Sequence, residues 1–202
     1  MARAESMVGF ANQLAGNHLV AQRHFETGLR HLTSGSRSRA AHDLYDPTSG
    51  LLVGMARSLL YRGVLGQSLD YARLAIVEAE KSSYPAMLCR NLIVTVPVYL
   101  VLGDWQRSEQ RIAQLTDLSA AHSLKLYQAI AAGMRGRWLL LQNNIRDGVA
   151  LLKRASETRE RARLDEGEGR HSGVQIGQGL SRSRKQLAVI DRVGKASVRR
   201  FV

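Results

Sequence analysis

The sequence predicts an all-α fold, a right-handed α-solenoid of about four helical hairpins with a degenerate C-terminal tail. Three observations carry this. Apolar residues recur at helical spacing from the N-terminus to about Arg161. Hydrophobic residues make up 45% of the 202-residue chain but aromatic residues only 5%, and the Ala- and Leu-rich remainder suits helix packing better than a sheet. Turn-forming residues also return in step: Gly16, Gly63, Gly103 and Asn143 lie 47, 40 and 40 residues apart. A fixed period with one helix–turn–helix per unit marks an array in which each hairpin buries its apolar face on the next.

The first hairpin is expected over Arg3–Leu14 and Leu19–Leu32, with Gly9, Ala21, Phe25 and Gly28 in fixed positions around Gly16. The Ser/Arg-rich connection Thr33–Asp46 accounts for the longer first spacing, because lengthening a loop costs little. The second hairpin spans Leu51 to Glu80. Leu52, Met55, Ala56 and Leu59 share one helical face there, and Leu69, Ala72, Ala75, Ile76 and Ala79 share another. Small residues at 56, 72 and 75 allow the two backbones to approach closely. The third hairpin runs from about Ala86 to Ala121 and turns at Gly103-Asp104-Trp105. Pro97 has no N–H to donate, so a kink or break is expected between Ile93 and Pro97. The fourth covers Leu124 to Arg161 and turns at Asn143-Asn144. Expected core positions are Ala21, Phe25, Met55, Leu59, Ala72, Ala75, Leu102, Ile112, Leu139, Leu152 and Ala155. The repeat domain is placed at residues 1–163. Residues 164–202 are expected to form a Gly/Arg-rich tail, partly disordered, that echoes a fifth repeat; Leu164 to Gly179 is expected to be mobile and Ser183 to Val193 to dock as a short helix on Leu151 and Leu152.

Residues that could carry chemistry are sparse. No G-x-x-x-x-G-K-[ST] loop is present, and Gly177-Gln178-Gly179 lacks both the third glycine and the preceding strand of a dinucleotide site. His24 and His31 share a helix face but stand two turns apart, roughly 10 Å, too far to share one metal ion. His18, His42, His122 and His171 read as surface or loop residues. Cys89 reads as a small core residue, Asp104 and Glu109 as turn and helix-start residues, and Trp105 and Trp138 as packing anchors. The expectation is a non-catalytic protein with no cofactor and no metal. No apolar run is long enough to span a bilayer, Met1 to Phe10 lacks the apolar core of a secretion signal, and a single cysteine suits a reducing cytoplasm.

The net charge of +12 and pI near 10.7 point to an anionic partner. The basic clusters are Arg37 and Arg39, then Arg159, Arg161 and Arg163, then Arg182, Arg184 and Lys185. None is interleaved with aromatic residues as a single-strand or RNA platform would be. Partner binding is expected in the groove lined by the first helix of each pair, through Gln13, Arg57, Tyr61, Arg90, Asn91, Arg135 and Arg137. The excess of arginine among these predicts a protein or peptide partner with an acidic segment, with weak non-specific nucleic-acid binding besides.

The segments YRGVLGQSLDYARLAIVEAE, VPVYLVLGDWQRSEQRI, AAHSLKLYQAIAAGMRGRWLLL and DGVALLKRA resemble the C-terminal tetratricopeptide region of large bacterial regulators. Those proteins join a winged-helix DNA-binding domain, or a nucleotide cyclase domain, to a signal-transduction ATPase and then to the repeat region. The resemblance covers roughly Met7 to Arg163. It implies a protein–protein interaction module without chemistry of its own, and a truncated relative, since the winged-helix and ATPase motifs are not found here. The alternative readings are a basic nucleic-acid-binding accessory or a fragment of such a regulator.

Overall fold

The structure, a computed structural model, describes residues 1–34 and 47–168. Among the described residues all regular structure is helical: α1 (Ala2–Leu14), α2 (His18–Ser34), α3 (Pro47–Tyr61), α4 (Leu65–Glu80), α5 (Pro85–Val101), α6 (Trp105–Ala121), α7 (Lys125–Leu141) and α8 (Ile145–Glu168). From α4 onward the helices begin at 65, 85, 105, 125 and 145. The 40-residue hairpin period is therefore two equal steps of one helix and one turn.

Most of the turns are of one kind. Gly16, Gly63 and Gly103 have φ of 87°, 75° and 70°, and Asn143 has 63°. These are left-handed conformations that glycine, and next asparagine, adopt at least cost. In each case the next residue's N–H reaches back to the carbonyl five residues earlier: Asn17 to Asn12, Val64 to Leu59, Asp104 to Tyr99 and Asn144 to Leu139, at 2.9–3.0 Å. That bond satisfies a carbonyl the helix end would otherwise leave open. All four predicted hinges stand where the sequence puts them. A fifth turn of the same type, between α6 and α7, was not anticipated: Ser123 has φ 53°, and Leu124 donates to the Ser119 carbonyl at 2.9 Å. The α4–α5 connection keeps the 20-residue step but not the turn. Pro85 opens α5 there, at a position whose N–H has no intrahelical acceptor in any case.

Two expectations about where helices end are corrected. α5 runs from Pro85 to Val101 through Pro97, so the break allowed for between Ile93 and Pro97 does not occur. A proline removes one hydrogen bond, while Val96, Val98 and Tyr99 beside it are all buried, so packing holds the helix where local propensity opposes it. α8 continues to Glu168, so the start of the segment read as mobile from Leu164 is helical. The basic connection with Arg37, Arg39 and His42, and the tail positions from Gly169 onward (His171, Arg182, Arg184, Lys185 and the short helix expected at 183–193), lie outside the described residues.

Each helix packs on its chain neighbours. In addition α1 packs on α3, α3 on α5 and α5 on α7. The odd-numbered helices thus form one continuous layer. The core threads between the layers. Phe25 on α2 is fully buried between two glycines: a Cβ on Gly9 of α1 or on Gly54 of α3 would come within 2.5 Å of its ring. Phe10 meets the same ring edge-on at 5.1 Å between centroids. Of the expected core, Ala21, Phe25, Met55, Leu59, Ala72, Ala75, Ile112 and Ala155 are buried. Leu102 is 36% exposed, because it caps α5 and faces the turn. Leu139 and Leu152 are only partly buried, because they belong to the last hairpin, where α8 takes its packing from α7.

Candidate functional site

The polar residues of the odd-numbered layer fall into two groups. The first holds hairpins together. Gln13 is 1% exposed; its Nε2 donates to the Gly54 carbonyl at 2.9 Å and to Ser58 Oγ at 2.7 Å. Asn91 is fully buried; its Nδ2 donates to the Ala75 carbonyl at 3.0 Å and to Ser49 Oγ. Both were expected to line a groove, and both instead sit inside the stack as ties between helices. A polar side chain facing a neighbouring helix and one facing solvent have the same sequence period, so spacing does not separate them.

Arg135 is also engaged. Its guanidinium lies 2.7 Å from Glu109 Oε1 and 4.3 Å from the centre of the Trp138 ring, whose Nε1 in turn donates to the Trp105 carbonyl at 3.1 Å. Trp138 thus acts as a packing and anchoring group, whereas the Trp105 side chain, expected to do the same, is 39% exposed and only its backbone carbonyl takes part. Arg90 reaches over Phe10, 5.6 Å from the ring centre. Arg137 is partly buried on α7.

The second group gathers at the end of α3. Tyr61 is 38% exposed and stacks on His18, the first residue of α2, with ring centres 4.7 Å apart and planes 23° from parallel. Arg57 stands one turn before Tyr61 on α3, partly buried, and no ion pair to it exists among the described residues. Among those residues only four buried side-chain polar atoms lack a hydrogen-bond partner: Arg57 Nε and His18 Nδ1 here, and Gln13 Oε1 and Asn91 Oδ1 on the two ties. Native interiors seldom leave such atoms open without a reason. Burial, and then the neighbouring Arg57 charge, lower the pKa of His18 below its ordinary value, so its ring is neutral at pH 7. Burial likewise lowers that of Arg57. Arg62, next along the chain from Tyr61, donates to Gln22 on α2 and places a further positive charge at the rim. Of the residues expected to bind, Arg57 and Tyr61 are brought together. His18, read as a surface or loop residue, is the member the sequence reading missed. Its place two residues after Gly16 was the available signal, since that position begins a helix against the end of the next hairpin.

Elsewhere, His24 pairs with Glu5 at 2.7 Å, not with His31. Cys89 is buried among apolar residues, and burial pushes its thiol up to about 11, so it is not nucleophilic near neutral pH. Among the described residues no cluster of three or more His, Cys, Asp or Glu could hold a metal ion, and no helix is long and apolar enough to cross a membrane. No protein-family model and no curated protein matches the chain.

Proposed function

We propose that the chain is a non-catalytic protein–protein interaction module of the bacterial signalling and transcription-regulator type, acting in the cytoplasm as a tetratricopeptide-like right-handed solenoid. Its odd-numbered helices would line the groove, and the partner would be a protein or peptide with an acidic segment. The observation that carries this reading is the continuous layer α1–α3–α5–α7 bearing a partly buried arginine, Arg57, with no acidic partner among the described residues. Equal 20-residue steps and a recurring left-handed turn support the repeat character. The groove residues are Arg57, Tyr61, Arg90, Arg135 and Arg137. Gln13 and Asn91 hold the helices that present them.

The net charge of +12 favours one second reading, a basic nucleic-acid-binding accessory. Affinity capture from a bacterial lysate, with and without nuclease, separates the two. A protein retained through nuclease treatment and released by salt, and lost when Arg57 and Arg135 are reversed to Glu, supports the interaction module. Loss of everything on nuclease treatment supports the accessory. Capture that ignores both salt and charge reversal overturns the acidic-partner reading.

A further inference from the structure

We infer that the turn edge of the odd-numbered layer, where Leu14, Tyr61, Val101 and Leu141 form an apolar ladder, is a docking strip for one amphipathic helix of a partner, with apolar residues about seven apart and acidic residues beside them. That the helix belongs to a protein with an acidic segment rests on the interaction-module reading; the strip itself does not.

The ladder follows from the turns. α1, α3, α5 and α7 end on Leu14, Tyr61, Val101 and Leu141, and in each case the left-handed residue comes two positions later, at Gly16, Gly63, Gly103 and Asn143. The four side chains therefore leave their helices at the same level and on the same side. All four are 38–47% exposed, whereas Leu60 and Leu100, one residue earlier, are buried. Basic residues in a last turn offset the helix dipole, yet none of these four helices has one there. Along the same edge α6 and α8 begin with Trp105 and Ile145, also exposed, which widens the strip over the later hairpins. At the opposite edge α4 and α6 end on Glu80 and Ala121, followed by Lys81-Ser82-Ser83 and His122-Ser123. Singly scattered apolar residues on a surface are ordinary; here they recur once per hairpin on one edge.

The geometry selects the occupant. α1 packs on α3, α3 on α5 and α5 on α7, and packed helices lie about 8–10 Å apart. Seven residues of an α-helix rise about 10.5 Å and return to nearly the same face, so a helix laid across the layer presents one apolar residue per rung. An extended segment could match the step with about every third residue. Its backbone groups would then meet apolar side chains, and no strand edge is offered to them among the described residues. A helix pairs those groups internally. The charge of the edge favours acidic flanks. Helix C-termini and N-termini alternate there, so their dipoles offset each other. Arg62 follows Tyr61, and Arg57 and Arg137 stand one turn before Tyr61 and Leu141. Of the acidic residues in these turns, Asp104 lies 2.7 Å from Arg107 and Asp147 accepts from Asn144 at 3.0 Å.

The probe is a blocked peptide of about three heptads, with leucine at the first and fourth residue of each and glutamate and alanine elsewhere. It is labelled for fluorescence anisotropy and kept at concentrations where it sediments as a monomer. Controls are the same composition with the leucines scrambled, and the striped peptide with a central proline. Saturable binding of the striped peptide to the full chain supports the strip if two variants behave as follows. Combined Leu14→Ser, Val101→Ser and Leu141→Ser weakens it about tenfold or more, as for loss of an interface anchor. Combined Leu74→Ser and Val77→Ser, at exposed positions of α4 off the ladder, leaves it unchanged. The ladder side chains already meet water, so the triple serine variant should melt as the parent does. Leu14→Met with Val101→Ile and Leu141→Met, which keeps the apolar surface, should bind as the parent does. No binding of the striped peptide, equal binding of either control peptide, or undiminished binding in the triple serine variant overturns the strip. A full chain that sediments as a dimer, and as a monomer in that variant, assigns the strip to a second copy and overturns it too. If Arg57→Glu with Arg135→Glu abolishes binding and the serine variant does not, the groove reading stands and the strip falls. If the serine variant loses the peptide while salt and charge reversal leave it unchanged, the ladder stands and the acidic-partner reading falls.

Discussion

The end of α3 and the face between α6 and α7 present arginines under opposite conditions. Arg135 is neutralised by Glu109, stacked on Trp138 and supported by a tryptophan that is itself tied to backbone. Arg57 is partly buried near a histidine whose Nδ1 is also unpartnered, with no acidic group paired to it among the described residues. The same residue type is paired in one place and left without a partner for its Nε in the other. The lesson is that a groove arginine read from spacing is not one kind of object: what faces it from the next helix decides whether it is a structural tie or an open donor. The packing of the two regions differs in parallel. Near α3 two glycines make room for the Phe25 ring, whereas between α7 and α8 glycines let the backbones themselves meet: a Cβ on Gly136 would lie 3.0 Å from the Gly148 carbonyl oxygen.

The largest effect should come from the ring between the glycines. Phe25→Ala should destabilise by about 3–5 kcal/mol, as for a fully buried aromatic side chain, against about 1 kcal/mol for Leu152→Ala, whose site is already partly open to water. Urea unfolding of the two variants checks the ratio; equal losses would mean that the last hairpin is as tightly built as the first. Next is Gly54→Ala, whose new methyl would overlap the Phe25 ring. The expected cost is about 1–3 kcal/mol for overpacking, and Phe25→Leu in the same chain should recover part of it. Additive losses would place the clash elsewhere.

The arginines should then respond with opposite signs. Arg135→Ala should cost about 1 kcal/mol, the sum of a half-exposed ion pair and a cation–π contact. Arg57→Met should be neutral or stabilise by up to about 1 kcal/mol, because it removes a partly buried charge with no ion-pair partner among the described residues. Thermal unfolding of both variants decides it. The smallest effect concerns His18. Its pKa is lowered in the folded state, so the unfolded chain binds more protons as pH falls through the unfolded value of about 6.5. Its contribution is fully present above that pH and is lost below it. The slope of stability against pH in this window should be shallower in His18→Phe, which keeps a ring on Tyr61. An unchanged slope would assign it to the other groups titrating there.

The helical class and four turns were legible because their causes are local. An amphipathic period shows in the residues themselves, and a left-handed turn demands glycine or asparagine at one position. The fifth turn was not, because Ser123 carries no such preference; only its place midway between Gly103 and Asn143 marks it. Leu102 was misjudged because one residue decides whether a helix end faces the core or the turn. Pro97 does not end its helix, because a local rule met a helix held by burial on several sides. Gln13 and Asn91 show the wider limit. Their bonds reach Ser58 and Ser49 across 45 and 42 residues, and nothing near either residue in the chain announces such a partner. The open donors of Arg57 and His18 were illegible for the same reason: a missing partner is a property of the next hairpin.

Among the described residues each helix packs mainly on its neighbours and next-but-one neighbours, and this has a kinetic consequence. No contact must wait for distant ends of the chain to meet, so the array can assemble as a zipper, each new hairpin closing on a finished one. It can also open from an end. α8 takes its packing from α7, so it should exchange its backbone amides well before α3, which is clasped by α1, α2, α4 and α5. Hydrogen exchange should therefore show a gradient along the chain, with its slowest point around Leu51 to Leu60, the helix that carries the open arginine.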